Sequence, residues 1–121
     1  MSKKILVVDD EADIRTYLTT VLDEAGYEVL VAENGNEALE LAKSEKPALV
    51  ILDLLMPKKT GTDFYRRMQR DKSIAETPVI VVSAVAGRHL AVDKAVAVFD
   101  KPINPEEFLA AVQQAIGPAD E

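Results

Sequence analysis

An apolar run from Ala48 to Leu52 ends in a single carboxylate, Asp53, and prolines at positions 47 and 57 bound it. A run this short and this unbroken reads as a strand buried on both faces, because a half-exposed strand alternates and a helix needs more length to show its period. Three further runs stop in the same manner. Ile5–Val8 ends in Asp9-Asp10-Glu11, Val79–Val82 ends in Ser83, and Val96–Phe99 ends in Asp100-Lys101-Pro102. Strands that turn polar at their C-terminal ends describe a sheet whose chemistry gathers where the strands finish. Asp9, Asp10, Asp53, Ser83 and Lys101 are therefore expected to meet at one edge of one sheet.

Between these runs the period changes. The first strand reads as residues 4–9. Ala12 to Ala25 then places Ile14, Leu18, Val21, Leu22 and Ala25 on one helical face, with Gly26 at the expected stop. Tyr27 to Glu33 alternates and reads as a second strand. In the turn Asn34-Gly35-Asn36, Asn36 is expected to cap a helix whose inner face is Ala38, Leu39 and Ala42. After Asp53, Thr62 or Asp63 is expected to cap a helix running to Arg70, with Phe64 and Met68 inward. A fourth helix, over Gly87 to Lys94, is short and weakly patterned. Asn104-Pro105-Glu106-Glu107 is a strong helix start, with Asn as cap, Pro in the first position and Glu in the third. Phe108, Leu109, Val112 and Ile116 form that helix's stripe, Gly117-Pro118 ends it, and Pro118 to Glu121 reads as a frayed tail. Strand and helix thus alternate five times. Connections this short demand parallel strands and right-handed crossovers. The expectation is one three-layer α/β domain over residues 1–121, with a five-stranded parallel sheet.

Charge narrows the function. A net charge of −7 repels nucleic acid and anionic lipid, so neither is expected as a direct partner. No apolar run approaches the ~20 residues of a membrane span, and the one after Lys3-Lys4 stops at Asp9, short of a signal peptide. The chain has no Cys, which removes thiol nucleophiles and thiolate metal sites and fits a cytoplasmic location.

Three carboxylates and one ammonium at a single sheet edge cannot all stay ionised without compensation. A divalent cation supplies it. All-oxygen ligands select a hard ion, and Mg²⁺ is the expected one. Such an ion beside a carboxylate, a lysine and a hydroxyl suits phosphoryl transfer. Asp53 stands alone at the end of its strand and is the expected nucleophile, forming an acyl phosphate, with Asp9 and Asp10 holding the metal.

Taken together, Ile5–Glu11, Leu52–Gly61, Ser83-Ala84 and Lys101-Pro102 resemble the receiver domain of two-component response regulators, over nearly the whole chain and in the family's order. The resemblance implies a flavodoxin-like, CheY-like strand order 2-1-3-4-5. It implies that Asp53 is the phospho-acceptor, charged by a histidine kinase or phosphotransfer protein. Asp10 corresponds to the direct Mg²⁺ ligand, Asp9 to one acting mainly through water, and the backbone carbonyl of Leu55 to a further ligand. Ser83, with Ala84 beside it, corresponds to the switch hydroxyl, and Lys101 to the lysine that pairs with the phosphoryl group. The Lys101–Pro102 bond is expected to be cis, which proline permits. A receiver catalyses its own phosphorylation and dephosphorylation but is not a turnover enzyme, and its output is binding to a downstream protein.

The sequence departs from the family in three places. Val98 stands where receivers usually carry the aromatic that moves with the switch hydroxyl; Phe99 is one residue later, which on a strand faces the other way. The segment from Ser83 to Lys101 is short by about one helical turn of ~3.6 residues, so the fourth helix is expected to be stunted. Leu55 and Val85 replace polar residues that help position the attacking water, so the acyl phosphate is expected to hydrolyse slowly.

Other functions fit less well. A haloacid-dehalogenase-type phosphatase needs an acid–base Asp where Leu55 stands. A flavin or nucleotide binder needs a Gly- or Ser/Thr-rich loop where Asp9-Asp10-Glu11-Ala12-Asp13 stands. A pseudo-receiver, keeping the fold for protein binding without phosphorylation, remains the alternative because the output face is altered. His89, and Arg66, Arg67 and Arg70 on the outer face of the third helix, are read as solvated surface.

Overall fold

The structure, a computed structural model, describes residues 3–53, 60–83, 97–100 and 103–119. In chain order the elements are β1 (Lys4–Val8), α1 (Ala12–Glu24), β2 (Glu28–Ala32), α2 (Gly35–Glu45), β3 (Leu49–Asp53), α3 (Thr60–Arg70), β4 (Val79–Ser83), β5 (Ala97–Asp100) and α4 (Pro105–Ile116). The strands lie side by side in the order β2-β1-β3-β4-β5, and every neighbouring pair is parallel.

β3 is buried at every position, as its unbroken apolar run requires. Successive strand residues face opposite ways, so the sheet builds two cores. Leu6, Val8, Val50, Leu52, Val79 and Val81 face Ala38, Leu39 and Ala42 of α2 and Phe64 and Met68 of α3. Ile5, Val7, Leu49, Ile51, Ile80 and Val82 face Leu18 and Leu22 of α1 and Phe108 and Val112 of α4. A parallel sheet is stable only when covered on both sides, and these helices cover it. Each large side chain buried here is worth about 1.5–3 kcal/mol of transfer free energy. Among the described residues no helix is long and apolar enough to cross a membrane.

The helix ends show where local reading succeeds and fails. Asn104 caps α4 as expected, its side chain accepting from the peptide N–H groups of Glu106 and Glu107 at 2.9 and 3.1 Å. At α2 the cap is Asn34, not Asn36. Asn34 is extended and accepts from the Glu37 N–H at 2.9 Å, and the helix begins at Gly35. α3 begins at Thr60, before either Thr62 or Asp63. Gly61 is accommodated in a first turn whose N–H groups have no helical partner in any case. β1 stops at Val8, so Asp9 lies just past the strand, and β2 is one residue shorter at each end than its alternation indicated.

The tail expected to fray is docked as far as Ala119, which is buried against the α1–β2 turn. Tyr27 donates to the Gly117 carbonyl at 2.8 Å, and Lys3 Nζ donates to the Ile116 carbonyl. Gly26 makes the turn with φ +96°, and a Cβ there would meet Ala119 Cβ at 3.2 Å, so the glycine serves both the turn and the close approach. The short segment Gly87–Lys94, His89, Leu55, Ala84, Val85 and the Lys101–Pro102 bond lie outside the described residues.

Candidate functional site: a carboxylate cluster at the sheet edge

The register places the cluster. Val8 lies opposite Leu52, so Asp9 and Asp53 both follow directly on the same sheet edge. Asp53 is in turn opposite Val82, and Ser83 opposite Asp100, so the ends of β4 and β5 finish at that edge as well. The backbone thus brings Asp9, Asp10, Asp53 and Ser83 to one end of the sheet, and Lys101 follows Asp100 in the chain. The side chain of Ser83, and all of Leu55, Ala84, Lys101 and Pro102, fall outside what is described.

Asp9 and Asp53 are 1% and 2% exposed, in a core otherwise apolar among the described residues. Carboxylates are almost never buried this deeply unless paired or bound to a cation. Asp10 and Glu11 are exposed beside them. One carboxylate oxygen from each of Asp9, Asp10, Glu11 and Asp53 can be chosen so that all lie within 4.8 Å of one another. Oxygens on opposite sides of an octahedral Mg²⁺ are about 4.2 Å apart, so a small closure brings such a set onto one ion. The donors are all hard oxygens, and their crowding raises a like-charge cost that a divalent cation removes. The residues therefore fit a hard divalent cation.

The loop carrying these acids is held by both backbone and side-chain bonds. The Asp9 N–H donates to the Ala32 carbonyl at 3.1 Å, and Asp9 Oδ1 accepts from the Glu11 N–H at 2.9 Å. Arg15 Nη1 donates to the Asp9 carbonyl at 2.7 Å, and its Nη2 lies 3.8 Å from Glu33 Oε2. Glu11 and Arg15 are the two residues that reading the sequence for site chemistry passes over. Glu11 was visible as the third acid of a contiguous run. Arg15 carried only a faint signal, a cation one turn into a helix that starts beside three acids.

The family model described as the response regulator receiver domain matches residues 5–113. Protein Rrf1 of Nitratidesulfovibrio vulgaris is 37% identical over 116 residues, covering 96% of this chain and 84% of its own length. The phosphate regulon transcriptional regulatory protein PhoB of Pseudomonas aeruginosa is 35% identical over 130 residues, covering 99% of this chain and 56% of its own length. The alkaline phosphatase synthesis transcriptional regulatory protein PhoP of Bacillus subtilis is 38% identical over 120 residues, covering 93% of this chain and 48% of its own length. This chain thus spans about half the length of those two regulators. Among solved structures, the chemotaxis protein CheY4 of Vibrio cholerae superposes with a TM-score of 0.86 at 32% identity, covering 95% of this chain and 99% of that one. The CheY-like receiver domain protein of Methanospirillum hungatei gives 0.85 at 28% identity, with 96% and 94% covered. The family match runs from β1 into α4 and takes in the carboxylate cluster, and on these grounds the chain belongs to the response regulator receiver domain family of two-component systems.

Proposed function

We propose that this chain is a phospho-accepting receiver, in which Asp53 takes a phosphoryl group from a phosphohistidine on a histidine kinase or phosphotransfer protein and thereby changes the chain's affinity for a downstream protein. The observation that carries this reading is the placement of the Asp53 carboxylate, buried at the end of β3 and within 4.8 Å of oxygens from Asp9, Asp10 and Glu11. β3 is held between neighbours on both sides, so the nucleophile is fixed where a partner can present a phosphoryl group.

In the transfer, a carboxylate oxygen of Asp53 attacks phosphorus. The new O–P bond forms as the N–P bond of the phosphohistidine breaks, and the electron pair returns to the imidazole nitrogen, which takes up a proton. Asp9, Asp10, Asp53 and the Leu55 carbonyl are the residues that would hold Mg²⁺. When bound, Mg²⁺ supplies positive charge to the crowded carboxylates and to the phosphoryl oxygens. The Ser83 hydroxyl, with Ala84 next to it in the chain, and the Lys101 ammonium would bind the transferred group, and the Lys101–Pro102 bond would be cis. Hydrolysis ends the phosphorylated state: water attacks phosphorus, the O–P bond to Asp53 breaks with its electron pair returning to the carboxylate, and inorganic phosphate leaves with the oxygen of water. Leu55 and Val85 keep that water poorly placed, so the phosphorylated form is long-lived.

Nothing in this cycle turns over a free substrate, so the chain acts as a switch and not as an enzyme. The reading assumes a single receiver unit over residues 1–121, the flavodoxin-like order 2-1-3-4-5 with a shortened fourth helix, and a cytoplasmic protein with no direct nucleic-acid or membrane contact.

Intact mass after incubation with Mg²⁺ and acetyl phosphate tests it. A single phosphoryl adduct is expected, dependent on Mg²⁺ and absent in Asp53→Asn, with a half-life of minutes or longer. An adduct that survives in Asp53→Asn refutes the assignment of the acceptor, and decay within seconds refutes the shielding role of Leu55 and Val85. A folded chain that binds Mg²⁺ yet accepts phosphate neither from acetyl phosphate nor from a phosphohistidine donor favours the pseudo-receiver.

A further inference from the structure

The cation site needs two neighbouring carboxylates, Asp9 and Asp10, on a loop outside any regular element. Loop backbone is free to rotate unless something fixes it, and a peptide flip between two adjacent acids would redirect one of them. The Asp9–Asp10 peptide is the sensitive point, because Asp9 is buried and Asp10 is exposed on either side of it. Its carbonyl oxygen belongs to Asp9, and this is the atom that Arg15 Nη1 holds at 2.7 Å. The preceding peptide is fixed separately, through the Asp9 N–H to the Ala32 carbonyl at 3.1 Å. Arg15 itself stands on α1, half-buried at 19% side-chain exposure, and its second nitrogen reaches toward Glu33, one residue past β2.

From this geometry we infer that Arg15 is a positioning residue for the cation site: its guanidinium locks the Asp9–Asp10 peptide and so sets the angle between the two metal-binding carboxylates. The inference rests on the reading that Asp9 and Asp10 hold Mg²⁺. The guanidinium's partners are the Asp9 carbonyl and Glu33, so Arg15 would act on the cation through the loop. A guanidinium is suited to the task because its planar fork reaches a carbonyl with one nitrogen and a carboxylate with another, which an ammonium cannot do in one fixed geometry.

Charge and geometry make opposite predictions. A cation beside the site repels Mg²⁺, so if Arg15 acted only through its charge, its removal would tighten metal binding. If Arg15 acts by holding the peptide, its removal weakens binding, because the carboxylates must then be ordered at the moment of binding. The sign of the change separates the two.

Mg²⁺ titrations of the full chain, followed by amide NMR shifts, are made on wild type, Arg15→Gln and Arg15→Lys, with thermal melts in EDTA as a control for folding. Arg15→Gln is expected to raise the Mg²⁺ dissociation constant by about 10-fold, the low end of the loss typical of removing a group that orients metal ligands. Arg15→Lys keeps the charge and is expected to weaken binding in the same direction. In the acetyl phosphate reaction the half-saturating Mg²⁺ concentration rises in both variants, while the rate at saturating Mg²⁺ stays within about twofold of wild type, since ordering costs are met once the ion is bound. Unchanged or tighter Mg²⁺ binding in the folded variants overturns the inference. So does a lowered rate at saturating Mg²⁺ with unchanged affinity. Should Arg15→Gln fail to fold, Arg15→Lys decides alone. If wild type itself binds no Mg²⁺, the metal reading fails first and the inference falls with it, an outcome distinguishable from wild type binding normally while the variants match it.

Discussion

Asp53 is placed at a cost. A carboxylate at 2% exposure, with oxygens of three other acids within 4.8 Å, meets like-charge repulsion that a bound cation would relieve. Like charges at this separation repel by about 1 kcal/mol even at a solvent-like dielectric. Asn keeps the shape and hydrogen-bonding capacity of Asp while removing the charge. Asp53→Asn is therefore expected to stabilise the metal-free chain by about 1 kcal/mol, raising its melting midpoint in EDTA by about 3–5 °C. A lower midpoint for the variant would mean that Asp53 is compensated from within the protein and that the crowding argument is wrong. The same substitution removes the proposed nucleophile, so stability and phosphorylation move in opposite directions, as expected where a site is built at the expense of the fold.

At the scale of elements, the last helix is tied down at its end. α4 buries Phe108 and Val112 in the core under the sheet, and the segment after it is held by the bond from Tyr27 to the Gly117 carbonyl and by the burial of Ala119. Burial pushes the Tyr27 phenol above its ordinary value of 10.0. The folded state therefore holds the phenol proton more tightly than the unfolded chain. The contribution of Tyr27 is complete below pH 10.0 and is lost as pH rises from there through the raised folded value. Tyr27→Phe removes the 2.8 Å bond to the Gly117 carbonyl and is expected to cost about 1 kcal/mol near pH 8 in urea unfolding. Above pH 10.0 the gap between the two proteins should narrow, because only wild type has a phenol to ionise at this position. A gap constant across that range would show that the hydroxyl remains solvated in the fold. At the opposite side of neutrality, hydrogen bonds from the Ser73 hydroxyl and N–H hold the Asp71 carboxyl below its usual range, in the turn after α3. Its contribution is present above the ordinary carboxylate value and is lost as pH falls through the depressed one.

Across the whole molecule, the two cores and the site are linked through the sheet. Each central strand buries its length between helix layers and delivers one polar residue to the same edge, so folding and site assembly are one event. Cation binding must then feed back on global stability. At a hundred times its dissociation constant, Mg²⁺ is expected to stabilise the chain by about 2.7 kcal/mol, read as a rise in the melting midpoint over the EDTA value. Asp53→Asn should show a smaller rise, having lost one ligand. Equal midpoints with and without Mg²⁺ in wild type would exclude a cation site formed on folding.

Much of this architecture was legible in the chain itself. Unbroken apolar runs such as Leu49–Leu52 can only be strands covered on both sides, and their polar C-terminal residues fix which edge carries the chemistry. Asn104-Pro105 with Glu107 is a cap that works through bonds within one turn, so it could be read locally and was found as read. Where two residues competed for one local role the sequence was silent: Asn34 and Asn36 are equally good caps, and in the fold it is the extended Asn34 whose side chain accepts from the Glu37 N–H. The docking of Ala119 and the reach of Arg15 to the Asp9 carbonyl join residues far apart in the chain or on different elements. Periodicity records which face of an element is apolar, not which distant backbone atom its polar side chains will meet. The sequence determined the layers, the strand direction and the acids of the site, because burial and alternation are properties of single segments. The tertiary structure alone decided how the loop bearing Asp9 and Asp10 is held, because that depends on the meeting of β1, α1 and the end of β2.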